Sequence, residues 1–189
     1  MLELAHIKKK IHHIIISWQA AVLVGVLLRL LLFLVDDSLW RDEAKFLMGL
    51  YAVSKEELFN ELPFGQRSPL ALGLLWKSMI EKSVGSTHLI RLPSLAVGIT
   101  QLFVFTCIIK SIFKHNNQSN IVIWITAVSP NLILFSDQVK PYIFDVFFST
   151  LLTALALPFF LRENQQIKQS IILILVSWIS LFFPIPPVL

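Results

Sequence analysis

The sequence predicts an all-α, polytopic integral membrane protein, and three observations predict it. Hydrophobic residues make up 56% of the 189 residues and charged residues only 15%, against about 45–50% and 25% in soluble domains. The mean hydropathy is +0.73. The apolar residues are gathered into runs close to the roughly 20 residues that a helix needs to cross the hydrocarbon layer. A soluble globular domain is excluded, because its surface could not be covered with polar groups. A disordered chain needs low hydrophobicity and high charge. A disulfide scaffold is excluded by the single cysteine, Cys107.

The first run, Ile14–Val35, has 22 residues. It exceeds a signal-peptide core and lacks a small-residue cleavage site, so it reads as a retained first span over 14–35. Lys8, Lys9 and Lys10 precede it and place residues 1–13 in the cytoplasm. The net charge of +4 fits loops kept on that side; no other basic run supports nucleic-acid binding. Arg29 lies six residues from the outer end. Its ordinary behaviour would be to snorkel to the headgroups, the alternative being to pair with an acid.

Residues 36–91 differ in kind. They hold eight of the twelve acids and form a long exoplasmic loop. Trp40, Ala44, Leu47, Met48 and Tyr51 recur at helical spacing. Asp37 or Ser38 is expected to cap that helix, with Asp42 and Glu43 in its first turn. Such a helix would lie along the membrane surface. A second short helix is expected from Ser54 to Leu62, broken by Pro63 and Gly65. A third, Pro69–Ile80, is too short to span and should be interfacial or re-entrant.

Further spans are predicted over 92–113, 121–136, 141–161 and 170–189. Alternating direction puts Lys110, Lys114, Arg162 and Lys168 inside with the N-terminus, and the Ser136–Tyr142 turn outside. That agrees with the positive-inside bias and supports five spans. The chain ends in the apolar Phe182–Leu189, which leads to the expectation that residues 1–189 are the N-terminal part of a longer transmembrane domain.

Four clusters of polar residues fall at the outer ends of these spans. In Trp40-Arg41-Asp42-Glu43, two carboxylates at a helix start could supply a general base. About 100° separates neighbours on a helix, so the two would not share a proton. The bland reading is a solvated helix start. Gln66-Arg67-Ser68-Pro69 combines an arginine with a helix N-terminus, which suits a phosphate, though a loop with an interfacial arginine is commoner. Arg91-Leu92-Pro93-Ser94 reads at its plainest as a headgroup anchor. Phe135-Ser136-Asp137-Gln138-Val139-Lys140-Pro141-Tyr142 places Lys140 outside, against the charge bias. Asp145 follows within the fourth span, where an acid is either functional or paired with Arg29 or Arg91.

In this order the clusters, from about Leu39 to Leu155, resemble the N-terminal half of the GT-C membrane glycosyltransferases, the superfamily of the protein O-mannosyltransferases and the lipid A aminoarabinose transferase. The bacterial members described as dolichyl-phosphate-mannose-protein-mannosyltransferase-like are the nearest in pattern. The resemblance implies an enzyme that moves a sugar, with inversion, from a polyprenyl-phosphate donor to a protein, glycan or lipid acceptor on the exoplasmic face. It implies Asp42 as the base with Glu43 as its neighbour. It implies a donor-phosphate site drawn from Lys140, Arg67, Tyr142, Gln66 and Arg91. The family's length is about twice this chain's or more, and Arg67-Ser68-Pro69 stands where the aminoarabinose transferases have Lys-Pro-Pro. Sugar and acceptor therefore stay open. No His/Cys metal cluster is visible, and a divalent cation at Asp42 stays open. The expected location is a bacterial plasma membrane. The competing readings are a non-enzymatic membrane protein, such as a transporter subunit or assembly factor, and an inactive truncated relative.

Overall fold

The computed structural model describes residues 17–65, 68–83, 86–113 and 116–161. Residues 1–13, the fifth expected span at 170–189, and Gln66 and Arg67 lie outside them. The described residues are all helical, with seven α-helices and no strand. Two of these helices are long and apolar enough to cross a membrane, Trp18–Val35 and Thr87–Ile112.

The first, α1 (Trp18–Val35), starts where the Ser17 hydroxyl accepts the Ala20 N–H at 3.2 Å. Its buried stripe is Ala21, Gly25 and Arg29, one residue per turn, with Val22 beside it. Leu23, Leu27, Leu31 and Leu34 face outward and are more than half exposed. A helix whose outward side is leucine and whose inward side holds glycine and arginine inverts the amphipathic pattern of soluble proteins. It suits a hydrocarbon surrounding. Arg29 does not snorkel: it is only 1% exposed and turned into the bundle.

The helix α2 (Arg41–Ala52) is not capped by Asp37 or Ser38. Asp36 occupies Ser38 instead, accepting its N–H at 3.0 Å and its hydroxyl at 2.7 Å. Glu43 takes the capping role, reaching back from the first turn to accept the Trp40 N–H at 2.9 Å. This choice rotates the helix. Its buried face is Glu43, Phe46, Leu47, Gly49 and Leu50, whereas Trp40, Met48 and Tyr51 are exposed. Of the expected apolar stripe, Leu47 is turned into the protein and Trp40, Met48 and Tyr51 are left exposed, as a helix lying along a membrane surface requires. The helix ends under Lys77, whose ammonium donates to the carbonyls of Leu50 and Val53; a cation at a helix C-terminus satisfies carbonyls that have no helical partner.

Between Val53 and Gly65 the expected second helix shrinks to two 3-10 turns, Glu56–Phe59 and Pro63–Gly65. Then α3 (Leu70–Ser83) begins just after Pro69, as its proline suggested. The span α4 (Thr87–Ile112) has 26 residues and starts five residues before Leu92. The Ser86 hydroxyl accepts the Leu89 N–H at its head. Arg91 and Ser94 are therefore inside the helix, on its buried side, and not in a loop.

The expected span 121–136 is broken in two. α5 (Asn116–Ala127) stops, and α6 (Pro130–Phe135) restarts with proline at its first position. Pro130 has no N–H to continue the ladder, but it fits a helix start. A turn over 136–141 leads into α7 (Tyr142–Leu161).

Helix α4 is central, packing on α1, α5 and α7, while α1 also packs on α5. Two apolar cores result. One joins the spans through Ala21, Val22, Leu102, Ile109, Ile123 and Ala127. The other roofs them, with Trp76 of α3 edge-on between Phe46 of α2 and Phe144 of α7 at 5.6 and 5.7 Å. The turn 136–141 is pressed onto α4 at Gly98. A methyl group added there would collide with the Ser136 side chain and meet its Cα at 3.3 Å. Gly98→Ala should therefore lift the turn and cost about 1–3 kcal/mol as overpacking, read as a lower unfolding midpoint in detergent. An unchanged midpoint would contradict this close approach.

Candidate functional site

Five consecutive residues of the turn are each held by a residue from another helix. Ser136 is bonded by Arg29, whose Nε donates to its hydroxyl at 3.2 Å. Asp137 pairs with Arg91 at 3.2 Å. The Gln138 carbonyl accepts the Ser94 hydroxyl at 2.7 Å. The Val139 N–H donates to Glu43 Oε1 at 2.6 Å. Lys140 Nζ stands 3.6 Å from Asp42 Oδ2 and over the Phe46 ring at 5.2 Å.

Glu43 is the hinge of this arrangement. Both its oxygens accept backbone N–H groups, from Trp40 and Val139, and Arg91 Nη2 lies 3.8 Å from Oε2. It is 1% exposed. A carboxylate so committed cannot meet an acceptor hydroxyl. Its geometry serves to join the start of α2 to the turn that carries Lys140. Asp42, one residue earlier and a different direction on the helix, has a side chain 69% exposed. The two neighbouring acids therefore differ in environment, one buried and committed to backbone N–H groups, the other exposed beside Lys140.

Arg91 is likewise turned inward. It donates to the carbonyls of Asp36 and Ser38 and pairs with Asp137 and Glu43, so it holds the entry to α2 against the turn and does not face outside as a phosphate ligand would. Tyr142 packs against Phe135 with the rings tilted at 46° and 5.1 Å between centroids. Asp145, in the first turn of α7, is not the partner of Arg29 or Arg91, whose hydrogen bonds go to the groups already named and, for Arg29, to the carbonyls of Gly25 and Ala127. Of the residues expected at the site, Asp42, Glu43, Lys140 and Arg91 converge, with Tyr142 just beyond them, while Gln66 and Arg67 lie outside the described residues. Arg29 was expected to snorkel or to pair with an acid, and Ser94 stood in the Arg91–Ser94 cluster with no role of its own. The one visible signal was their type: a charged and a hydroxyl side chain within or beside apolar runs.

Asp137 shows how tightly the turn is enclosed. Burial pushes its carboxyl up from 3.8 to about 6, outweighing the opposite pull of Arg91, and the neighbouring Asp36 and Glu43 add to the rise. The Ser38 hydrogen bond holds Asp36 below its usual range. Among the described residues no group of three or more His, Cys, Asp or Glu side chains could hold a metal ion. The arrangement offers an exposed carboxylate and, beside it, a shielded ammonium set against the Phe46 ring.

No known protein-family model matches this chain. No curated protein and no solved structure matches it either.

Two outcomes follow. Glu43→Gln leaves one backbone N–H facing an amide NH₂ and should cost about 1–3 kcal/mol. Asp42→Asn, the same chemical change one residue away, should cost about 1 kcal/mol or less, as exposed pairs do. Denaturation of both variants in detergent compares them, and equal losses would contradict this difference in environment. The second concerns pH. The folded protein binds the Asp137 proton more readily than the unfolded chain does, so this group's contribution is fully present below pH 3.8 and is lost as pH rises through about 6. Wild-type should therefore lose stability relative to Asp137→Asn across that window. Parallel pH profiles of the two melting temperatures would contradict it.

Proposed function

We propose that this chain is part of a polytopic membrane glycosyltransferase that uses a polyprenyl-phosphate sugar as donor, with its chemistry on the outer face. The single observation that carries the reading is the exposed Asp42 carboxylate held 3.6 Å from the shielded Lys140 ammonium at the outer ends of helices built like membrane spans. The order of polar clusters along the chain, similar to that of the GT-C enzymes, adds to it. The topology proposed with it is five spans, N-terminus inside, in a bacterial plasma membrane.

The chemistry follows from the two side chains. An acceptor hydroxyl attacks the anomeric carbon, and Asp42 takes its proton. The bond from that carbon to the donor phosphate breaks as the new glycosidic bond forms on the opposite face, inverting the centre. Negative charge grows on the departing lipid phosphate, and Lys140 is the near cation that can meet it. Before donor binds, the Asp42 carboxylate balances the Lys140 charge. The donor's lipid stays in the bilayer, so the site must lie at the membrane surface, where α2 presents Trp40, Met48 and Tyr51. Which sugar and which acceptor are used is set by parts of the site beyond these residues.

Removing a general base costs about 100- to 10,000-fold in rate. Asp42→Asn in membranes of the full-length protein should lower transfer from lipid-linked sugar by that factor with folding intact. Lys140→Ala should chiefly weaken donor use. Near-normal transfer by Asp42→Asn would remove the assignment. Absence of transfer by wild-type with any polyprenyl-phosphate sugar would favour a non-enzymatic membrane protein or an inactive relative.

A further inference from the structure

Arg29 lies six residues before the outer end of α1, about 9 Å deep at 1.5 Å per residue. One guanidinium there joins three segments. Nη1 donates to the carbonyl of Gly25 in its own helix at 2.9 Å and to Ala127 at 3.1 Å. Nε donates to the Ser136 hydroxyl at 3.2 Å. The Ala127 carbonyl is the last of α5, so the break before Pro130 leaves it outside the helical ladder. The Ser136 hydroxyl donates in turn to the Leu132 carbonyl at 2.6 Å, which directs its lone pairs to Arg29. The broken helix and the turn that follows it are thus tied to the first span by one side chain.

From this geometry we propose that Arg29 is a positioning residue for the Asp42–Lys140 pair, acting from inside the first span through the 136–140 turn. Arg29 fixes where the turn begins, and Arg91, Ser94 and Glu43 fix the three residues after it. Lys140, the fifth, is then set against Asp42. A lysine at position 29 has one compact ammonium in place of a planar fork, and cannot hold Ala127 and Ser136 together. The catalytic consequence rests on the glycosyltransferase reading; the positioning does not.

The test measures hydrogen exchange of the purified protein in detergent, resolved over residues 134–142, for wild-type, Arg29→Lys and Ser136→Ala. The serine variant removes the same bond from the turn side and keeps the arginine, which covers the case in which the arginine variant fails to fold. Both should speed exchange of the turn amides, Val139 included, by at least about tenfold, the scale of losing a charged hydrogen bond, with α4 unchanged. Unchanged turn exchange in the variants would overturn the proposal. So would an equal rise across α1 and α4, which would give Arg29 a general role in folding. In membranes that transfer sugar, kcat should fall at least about tenfold with acceptor KM held, because the pair is displaced and the acceptor contacts are not. Full kcat with a loosened turn would overturn the catalytic consequence. Absence of transfer by wild-type would count against the glycosyltransferase reading alone, since the exchange data stand without it.

Discussion

The Asp42–Lys140 pair depends on a carboxylate that is buried. Glu43 sits in the first turn of α2, 1% exposed, and it is tolerable there because each oxygen accepts a backbone N–H and an arginine stands beside it. Taking a charge out of water is costly unless it is paired and hydrogen-bonded. Here the pairing also does geometric work. The two N–H groups belong to segments 99 residues apart, the entry to α2 at Trp40 and the turn at Val139. That hydrogen bond, with Arg91 beside it, holds the start of α2, and so Asp42, near the turn that carries Lys140.

The same logic extends outward from Glu43. Arg91 answers Glu43 and Asp137 and collects two carbonyls from the link between α1 and α2. Arg29 collects the carbonyl left over by the break in α5. Removing one partner from such a network costs about 3–5 kcal/mol, because the remaining charge stays buried. Apolar packing of Trp76 with Phe46 and Phe144 supplies the roof, and Lys140 lies against that same Phe46 ring. Asp42 is thus the exposed edge of a network whose other members, Lys140 included, are enclosed.

Much of this was legible in the sequence and part was not. Ile14–Val35 and Leu92–Phe113 could be read as spans because hydropathy over about 20 residues is a length argument. The clustering of Asp42, Lys140 and Arg91 at one end followed from counting alternating helices. What failed was local. Glu43 was read as a partner in chemistry, since two adjacent acids at a helix start give no sign of which one points inward. The break at Ser129-Pro130 was hidden because a proline can open a helix or interrupt one, and the residues around it are apolar either way. Arg29 was expected to snorkel, because a sequence does not show that a broken helix nearby offers a free carbonyl and a serine. For Glu43 and Arg29 the deciding partner lies about a hundred residues along the chain.

The most direct measurement is a double-mutant cycle between Glu43 and Arg91, using Glu43→Gln and Arg91→Lys and the unfolding free energy in detergent. If the two side chains form one clamp, the losses should be strongly non-additive, with a coupling of about 0.5–3 kcal/mol, the range found for residues sharing a network. Additive losses would mean that Glu43 and Arg91 act separately, and would contradict the central claim that a single buried network sets Asp42 against Lys140.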